Sequence, residues 1–195
     1  MTQLGGYTRN VRDALAHLNA ADPASPDTFY RSNLPRIGLI DSAGDSGHPA
    51  LATGVMTSVP VYLRAGDVIT SISARSGATA AGTPTNYWFA LYSSAATPAL
   101  LAQTADQTST AWAANTVKTV ALATPVTITE TGIYWVGITV VATAVPSLIG
   151  SIAMTPVVTG ERNLSQSSGS SLTATAPATI ATVTAKPFVP RVVLT

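Results

Sequence analysis

Cysteine is absent from the 195-residue chain, which removes disulfides, thiolate nucleophiles and Cys-ligated zinc together. Charge is scarce: Asp, Glu, Lys and Arg make up 10% of the residues, against about 25% in an ordinary soluble domain. A surface so poor in ions must be hydrated by hydroxyl groups or covered by neighbours. Ten basic residues face nine acidic ones, and Arg9, Arg12, Arg31, Arg36, Arg64, Arg75, Arg162 and Arg191 are scattered along the sequence. Without a basic run the expectation is that nucleic acid is not a partner. His17 and His48 are the only histidines, too few for a transition-metal cluster. No Gly-rich segment follows a strand and opens a helix, so no nucleotide cofactor is expected. The first twenty residues carry Arg9, Arg12 and Asp13 and lack an apolar h-region, which predicts that there is no secretory signal.

What is present suits one core, because a chain of this length is short for two full domains. In YTRNVRDALAHLNAA, residues 7 to 21, Val11, Leu15 and Leu18 recur at helical spacing and define an anchoring face. Prolines at 23, 26 and 35 make the following stretch an extended connector. The reading is therefore an N-terminal helical arm over residues 1–35 and a β-rich domain over 36–195. The arm's helix either folds back on that domain or docks on a partner.

Beyond Ile37 the sequence consists of short β-branched and aromatic runs separated by Gly, Pro, Asn and Ser. Strands are expected at Val59–Leu63 and Asp67–Arg75. In the second, Val68, Thr70, Ile72 and Ala74 share one face and Ile69, Ser71, Ser73 and Arg75 the other. Further strands are read in NYWFALYSS, in ALLAQTAD, on both sides of a break at Pro125, and after Glu130-Thr131-Gly132, the sharpest hairpin signal. Ser151–Val158, Thr179–Thr184 and Val189–Leu194 follow, with SQSSGSS as a mobile loop. About eight short strands without alternating helices predict an all-β, antiparallel β-sandwich, jelly-roll-like, with a short helical arm.

GDSGHP, residues 44–49, differs by one letter from the segment around the serine of trypsin-like proteases. A Ser-His-Asp site needs a base within reach of Ser46 and a carboxylate to orient it. His48 lies too close along the chain to turn its ring back, His17 is in the arm, and no histidine follows His48. The stretch is read as a turn in which Asp45 and Ser46 cap backbone amides, and the chain as no enzyme. An EF-hand counted from Asp41 has Ala52 where a glutamate is required; a looser calcium site on Asp41, Asp45 or Asp67 has no positive support. The uncharged run Ile133–Gly150 is long enough to be weighed as a membrane span. Its Thr and β-branched content and Pro146 favour a buried strand.

The aromatic residues remain. Trp88, Tyr92, Trp112 and Trp135 could stack on a glycan, could contact other subunits, or could fill the core. The segments VYLRAGDVITSISARSG, NYWFALYSS, LLAQTADQ and PVTITETGIYWVGITV resemble β-sandwich modules of tailed-bacteriophage virion proteins, of the minor tail or fibre type in phages of actinobacteria. That resemblance covers about residues 55 to 145. It implies a non-enzymatic structural subunit, assembled into the virion in the host cytoplasm. It further implies a homotrimer or other symmetric oligomer, attached to other virion proteins through its arm and able to touch a host-surface glycan. A capsid decoration protein and a carbohydrate-binding module are the alternatives.

Overall fold

The computed structural model describes residues 31–44 and 49–195. The expected helix, with its Val11, Leu15 and Leu18 face, lies outside the described residues, and so do Asp45, Ser46, Gly47 and His48. The described chain is all-β. Its strands are β1 (Ile40–Asp41), β2 (Met56–Leu63), β3 (Val68–Arg75), β4 (Asn86–Tyr92), β5 (Leu100–Gln103), β6 (Val117–Thr127), β7 (Gly132–Val141), β8 (Ile149–Ile152), β9 (Gln166–Ser168), β10 (Thr184–Ala185), β11 (Phe188–Pro190) and β12 (Val192–Leu194). They form three antiparallel sheets: β1-β8-β11, the six-stranded β10-β9-β2-β7-β4-β5, and β12-β3-β6. No helix among the described residues is long and apolar enough to cross a membrane; the first half of the uncharged run from Ile133 is β7 and its last two residues open β8.

Alternation decides what faces inward. Val59, Val61 and Leu63 of β2, Tyr87, Phe89 and Leu91 of β4, and Tyr134, Val136, Ile138 and Val140 of β7 point to one side of the six-stranded sheet. There they share a single hydrophobic cluster with Ile69, Ile72 and Ala74 of β3, Leu122 of β6, Val192 and Leu194 of β12, and Phe188 and Val189 of β11. All three sheets thus contribute to one core.

The other side of the same sheet is also covered. Met56, Trp88, Ala90, Tyr92 and Trp135 form a second cluster with Ala176 and Ile180, and Leu172 packs against it. Strands buried on both faces read as near-continuous apolar runs, which is why NYWFALY and GIYWVGITVV lack a polar face. The cover is the irregular stretch 169–183. It is tied down by Leu172 N–H donating to Gly54 O at 2.9 Å, Leu100 N–H to Ala178 O at 2.9 Å and Ile180 N–H to Pro98 O at 2.9 Å.

Several local expectations are corrected. The two faces assigned to β3 are interrupted by a bulge between Ile69 and Ser71, where the N–H groups of Thr70 and Ser71 both donate to Thr195 O. The bulge turns Ile69 inward and leaves Val68 44% exposed. Pro125 does not end a strand; β6 runs through it, and the irregularity opposite Ile69–Ser71 absorbs it. Glu130-Thr131-Gly132 is not a hairpin, since β6 pairs with β3 while β7 pairs with β2 and β4. It carries the chain from one sheet to another, and the Tyr134 hydroxyl donates to Glu130 O across it at 2.8 Å, a tie of the kind found at Greek-key corners. Part of SQSSGSS is β9, paired with Met56–Ser58 of β2. Within 151–158 only Ser151 and Ile152 belong to a strand, and within 179–184 only Thr184 does. Val189–Leu194 divides between β11 and β12, which lie in different sheets.

The fold holds the chain from Arg31, before the expected boundary at residue 35. Arg31 pairs with Asp67 at 3.2 Å, Ser32 bridges to Val193 and Leu34 packs on the main core.

Candidate functional site

The four aromatic residues singled out in the sequence are split between the two cores. Trp88 and Tyr92 are fully buried beneath the 169–183 cover, and their polar tips hold it. The Trp88 indole N–H donates to Thr173 O at 2.6 Å, and the Tyr92 hydroxyl donates to Pro177 O at 3.0 Å. Burial pushes the Tyr92 phenol well above its ordinary pKa, so it stays a donor. Trp112 leaves its loop to enter the main core. Its ring lies 5.5 Å from that of Tyr87 and 5.9 Å from that of Phe89, both within the range of favourable ring pairs. None of these three rings offers a face for stacking.

Trp135 differs. In β7 it stands opposite Pro60 of β2 and Tyr92 of β4, at the end of the covered face, and it lines a cleft of about 530 Å³. The β4–β5 loop supplies one wall with Ala95, Ala96, Thr97 and Pro98, and the end of the cover supplies another with Ile180, Ala181, Thr182 and Val183. Arg162 and Gln166, at the entry to β9 and at its first residue, complete the lining. The β4–β5 wall is braced at its base, where Ser93 N–H donates to Ala99 O at 2.8 Å and Ala99 N–H donates to the Ser93 hydroxyl at 2.9 Å. Volumes between about 300 and 1,000 Å³ with an apolar lining and a few converging polar groups are typical of small-molecule sites.

No family model matches the chain, and no curated protein is significantly similar to it.

A second hollow, of about 240 Å³, brings together Arg36, Arg75 and Arg191 around Leu39, Val117, Ile149 and Val193. These arginines are far apart in sequence and none signals a cluster there. Burial, then the neighbouring Arg36 charge, lowers the Arg191 pKa from its ordinary value.

The two described acids weighed for calcium serve the backbone. Asp67 accepts from Arg31 and from Arg64 N–H at 2.9 Å. Asp41 accepts from Ala43 N–H at 2.9 Å and also from Ala78 N–H. Among the described residues no three His, Asp or Glu side chains come together as a metal would need.

The remaining feature is apolar exposure. Met154 is 81% exposed, Val157 75%, Val158 66% and Leu164 53%, all on the segment between β8 and β9. This segment is folded on itself, with Val157 N–H donating to Glu161 Oε2 at 2.8 Å and Glu161 N–H to Val158 O at 3.2 Å. At its base a groove of about 190 Å³ is lined by Leu34, Pro60, Ile152, Ala153, Leu164 and Val189 with the polar Asn33 and Ser151. The expected Ser151–Val158 strand concealed this projection, because alternating apolar residues read alike in a buried strand and in an exposed arm.

Proposed function

We propose that the protein is a non-enzymatic structural subunit of a tailed-phage virion, of the minor tail or fibre type, built as a jelly-roll-like β-sandwich. It assembles with copies of itself through the segment between β8 and β9. The observation that carries the self-assembly is the exposure of Met154, Val157 and Val158 on one projection. Such clustered apolar exposure marks interaction surfaces.

The partner we assign is a second copy. The same chain offers both a projecting apolar arm and an apolar groove that no ionisable residue lines, so one copy can supply the knob and the next the hollow. Contacts of this head-to-tail kind close into a ring when the rotation between copies returns to its start and otherwise run on as a filament; a trimer is the closed case we assign. A chain with only 10% charged residues has little like-charge repulsion to oppose assembly. The virion assignment is supported by the strand lettering of residues 55 to 145. The sandwich reading is supported by the repeated crossing of the chain between sheets, from β2 to β3, β3 to β4, β5 to β6 and β6 to β7.

Mass photometry and light scattering of the full chain test this. A trimer or other closed oligomer is expected, and replacing Met154 and Val158 together with Asp should weaken association at least about tenfold, since each charge would have to be desolvated at the interface. A wild-type chain that stays monomeric at tens of micromolar, or an oligomer indifferent to both substitutions, overturns the reading. Antibody labelling of purified particles separates a tail position from the shell position of a decoration protein.

A further inference from the structure

The cleft beside Trp135 carries hydrogen-bond donors and little else that is polar. Trp135 is only 6% exposed and Gln166 only 5%. The Gln166 Oε1 is taken by Asn163 Nδ2 at 2.9 Å, which fixes the carboxamide and turns its NH₂ group to other partners. Among the described residues neither that NH₂ nor the Trp135 indole N–H has a hydrogen-bond partner, yet neither is sealed from solvent. For side chains otherwise so buried, the accessible direction is the cleft they line. Arg162, exposed at the rim, likewise has no ion-pair or hydrogen-bond partner among the described residues. Indole, carboxamide NH₂ and guanidinium are all donors. The hydroxyls of Thr97 and Thr182 can give or accept. Ile180, Pro98 and Ala96 supply apolar surface between them.

A complementary ligand therefore has several acceptors spread around an apolar body and carries negative charge. We propose that this cleft binds an acidic saccharide, a pyranose bearing a carboxylate. Arg162 takes the carboxylate, for which the guanidinium fork is the best side-chain partner. The Gln166 NH₂ and the Trp135 N–H donate to ring hydroxyl oxygens, and the two threonines match hydroxyls in either sense. A bare carboxylate would leave the Trp135 and Gln166 donors unmet, and an apolar ligand would leave all three. Arg162 lies on the same β8–β9 segment as Met154 and Val158, but neither Met154 nor Val158 lines the cleft, so substitutions at 154 and 158 test self-association without altering the cleft's own residues.

The test is titration of the full ¹⁵N-labelled chain with oligosaccharides containing glucuronate, galacturonate or N-acetylneuraminate. Neutral glucose disaccharides and acetate serve as comparators, and the Trp135 indole N–H resonance is the readout. At least one acidic saccharide should shift that resonance saturably with a Kd below about 1 mM, and the neutral disaccharides should bind at least about tenfold more weakly. Arg162→Ala should weaken binding about tenfold or more, as expected for loss of a charge-assisted hydrogen bond. Gln166→Glu, which replaces a donor with a negative acceptor, should abolish it. The proposal is overturned if no acidic saccharide binds up to about 10 mM, or if neutral sugars bind equally. It is also overturned if acetate alone reproduces the shift, or if both variants bind as wild type does. Arg162 is exposed, so its replacement should leave the fold intact, and mass photometry of the variant separates a loss of binding from any change in self-association.

Discussion

Asp41 closes β1, and its carboxylate holds two turns together. It accepts from the N–H groups of Ala43 and Ala78 and from the Ser147 hydroxyl. Gly77 stands against it so closely that a Cβ there would overlap the carboxyl group. Partial burial raises the pKa, but the three hydrogen bonds outweigh it and set the value below the ordinary 3.8. The folded state therefore prefers the ionised form, and the resulting stabilisation is complete above the unfolded value. It is lost as pH falls through the lower, folded one. Urea unfolding measured from about pH 6 down to about pH 2.5 should show stability declining below the ordinary carboxylate value, with a shallower acid limb in Asp41→Asn. An equally steep limb in that variant would remove Asp41 from the acid response. In the sequence Asp41 is one of three acids weighed for a loose calcium site, without positive support. Only the return of Ala78 and Ser147 to its side, long-range contacts with no local signature, makes it a structural carboxylate.

At the scale of elements, the 169–183 cover decides what the aromatic strand β4 can do. Each of Trp88 and Tyr92 removes about 150–250 Å² from water, a transfer term of roughly 4–6 kcal/mol apiece as an upper estimate. Without the cover that area would face solvent. Gln103 of β5 clamps it from the sheet edge, donating through Nε2 to Ala174 O at 2.7 Å and accepting Ala176 N–H on Oε1 at 2.6 Å. Gln103→Ala should cost about 1–3 kcal/mol for the two bonds. It should also speed hydrogen exchange within residues 170–183 more than in peptides from β2 and β7. A uniform change across the chain would mean that the cover does not open as a separate unit.

The strands of this layer were legible as apolar runs, because β2, β4 and β7 keep strict alternation or continuous burial. The cover was not, since Ala, Thr and Ser at irregular spacing carry no period. Its partner groups lie on strands some seventy residues away. The same reason hid the cleft: Gln166 sat in what looked like a Ser-rich loop, and only the pairing of β9 with β2 brings it beside Trp135. The Glu130-Thr131-Gly132 turn misled in the opposite sense, because a turn sequence fixes a reversal of the chain but not whether the next strand pairs with the last or crosses to another layer.

For the molecule as a whole, the question is whether three sheets behave as one unit. The main core draws on all of them, and the covalent path between two runs through Arg191, where the chain leaves β11 for β12. Asn33 spans that switch, donating through Nδ2 to Pro190 O at 2.7 Å and accepting Val192 N–H on Oδ1 at 2.8 Å. Arg191 adds its own N–H to Ile149 O at 3.0 Å and its Nε to Leu34 O at 3.2 Å. Residues 31–34 thus act as a strap that joins the sheets, a role invisible in a connector read only for its prolines. Asn33→Ala removes both side-chain bonds and leaves a carbonyl and an amide at the switch without them, which should cost about 2–3 kcal/mol. Because the shared core persists, chemical denaturation followed by fluorescence and by circular dichroism should still trace one coincident transition, shifted to lower denaturant at unchanged slope. Two separated transitions in the variant would show that the strap, rather than the common core, couples the sheets. A shift below about 0.5 kcal/mol would place the switch among ordinary surface positions.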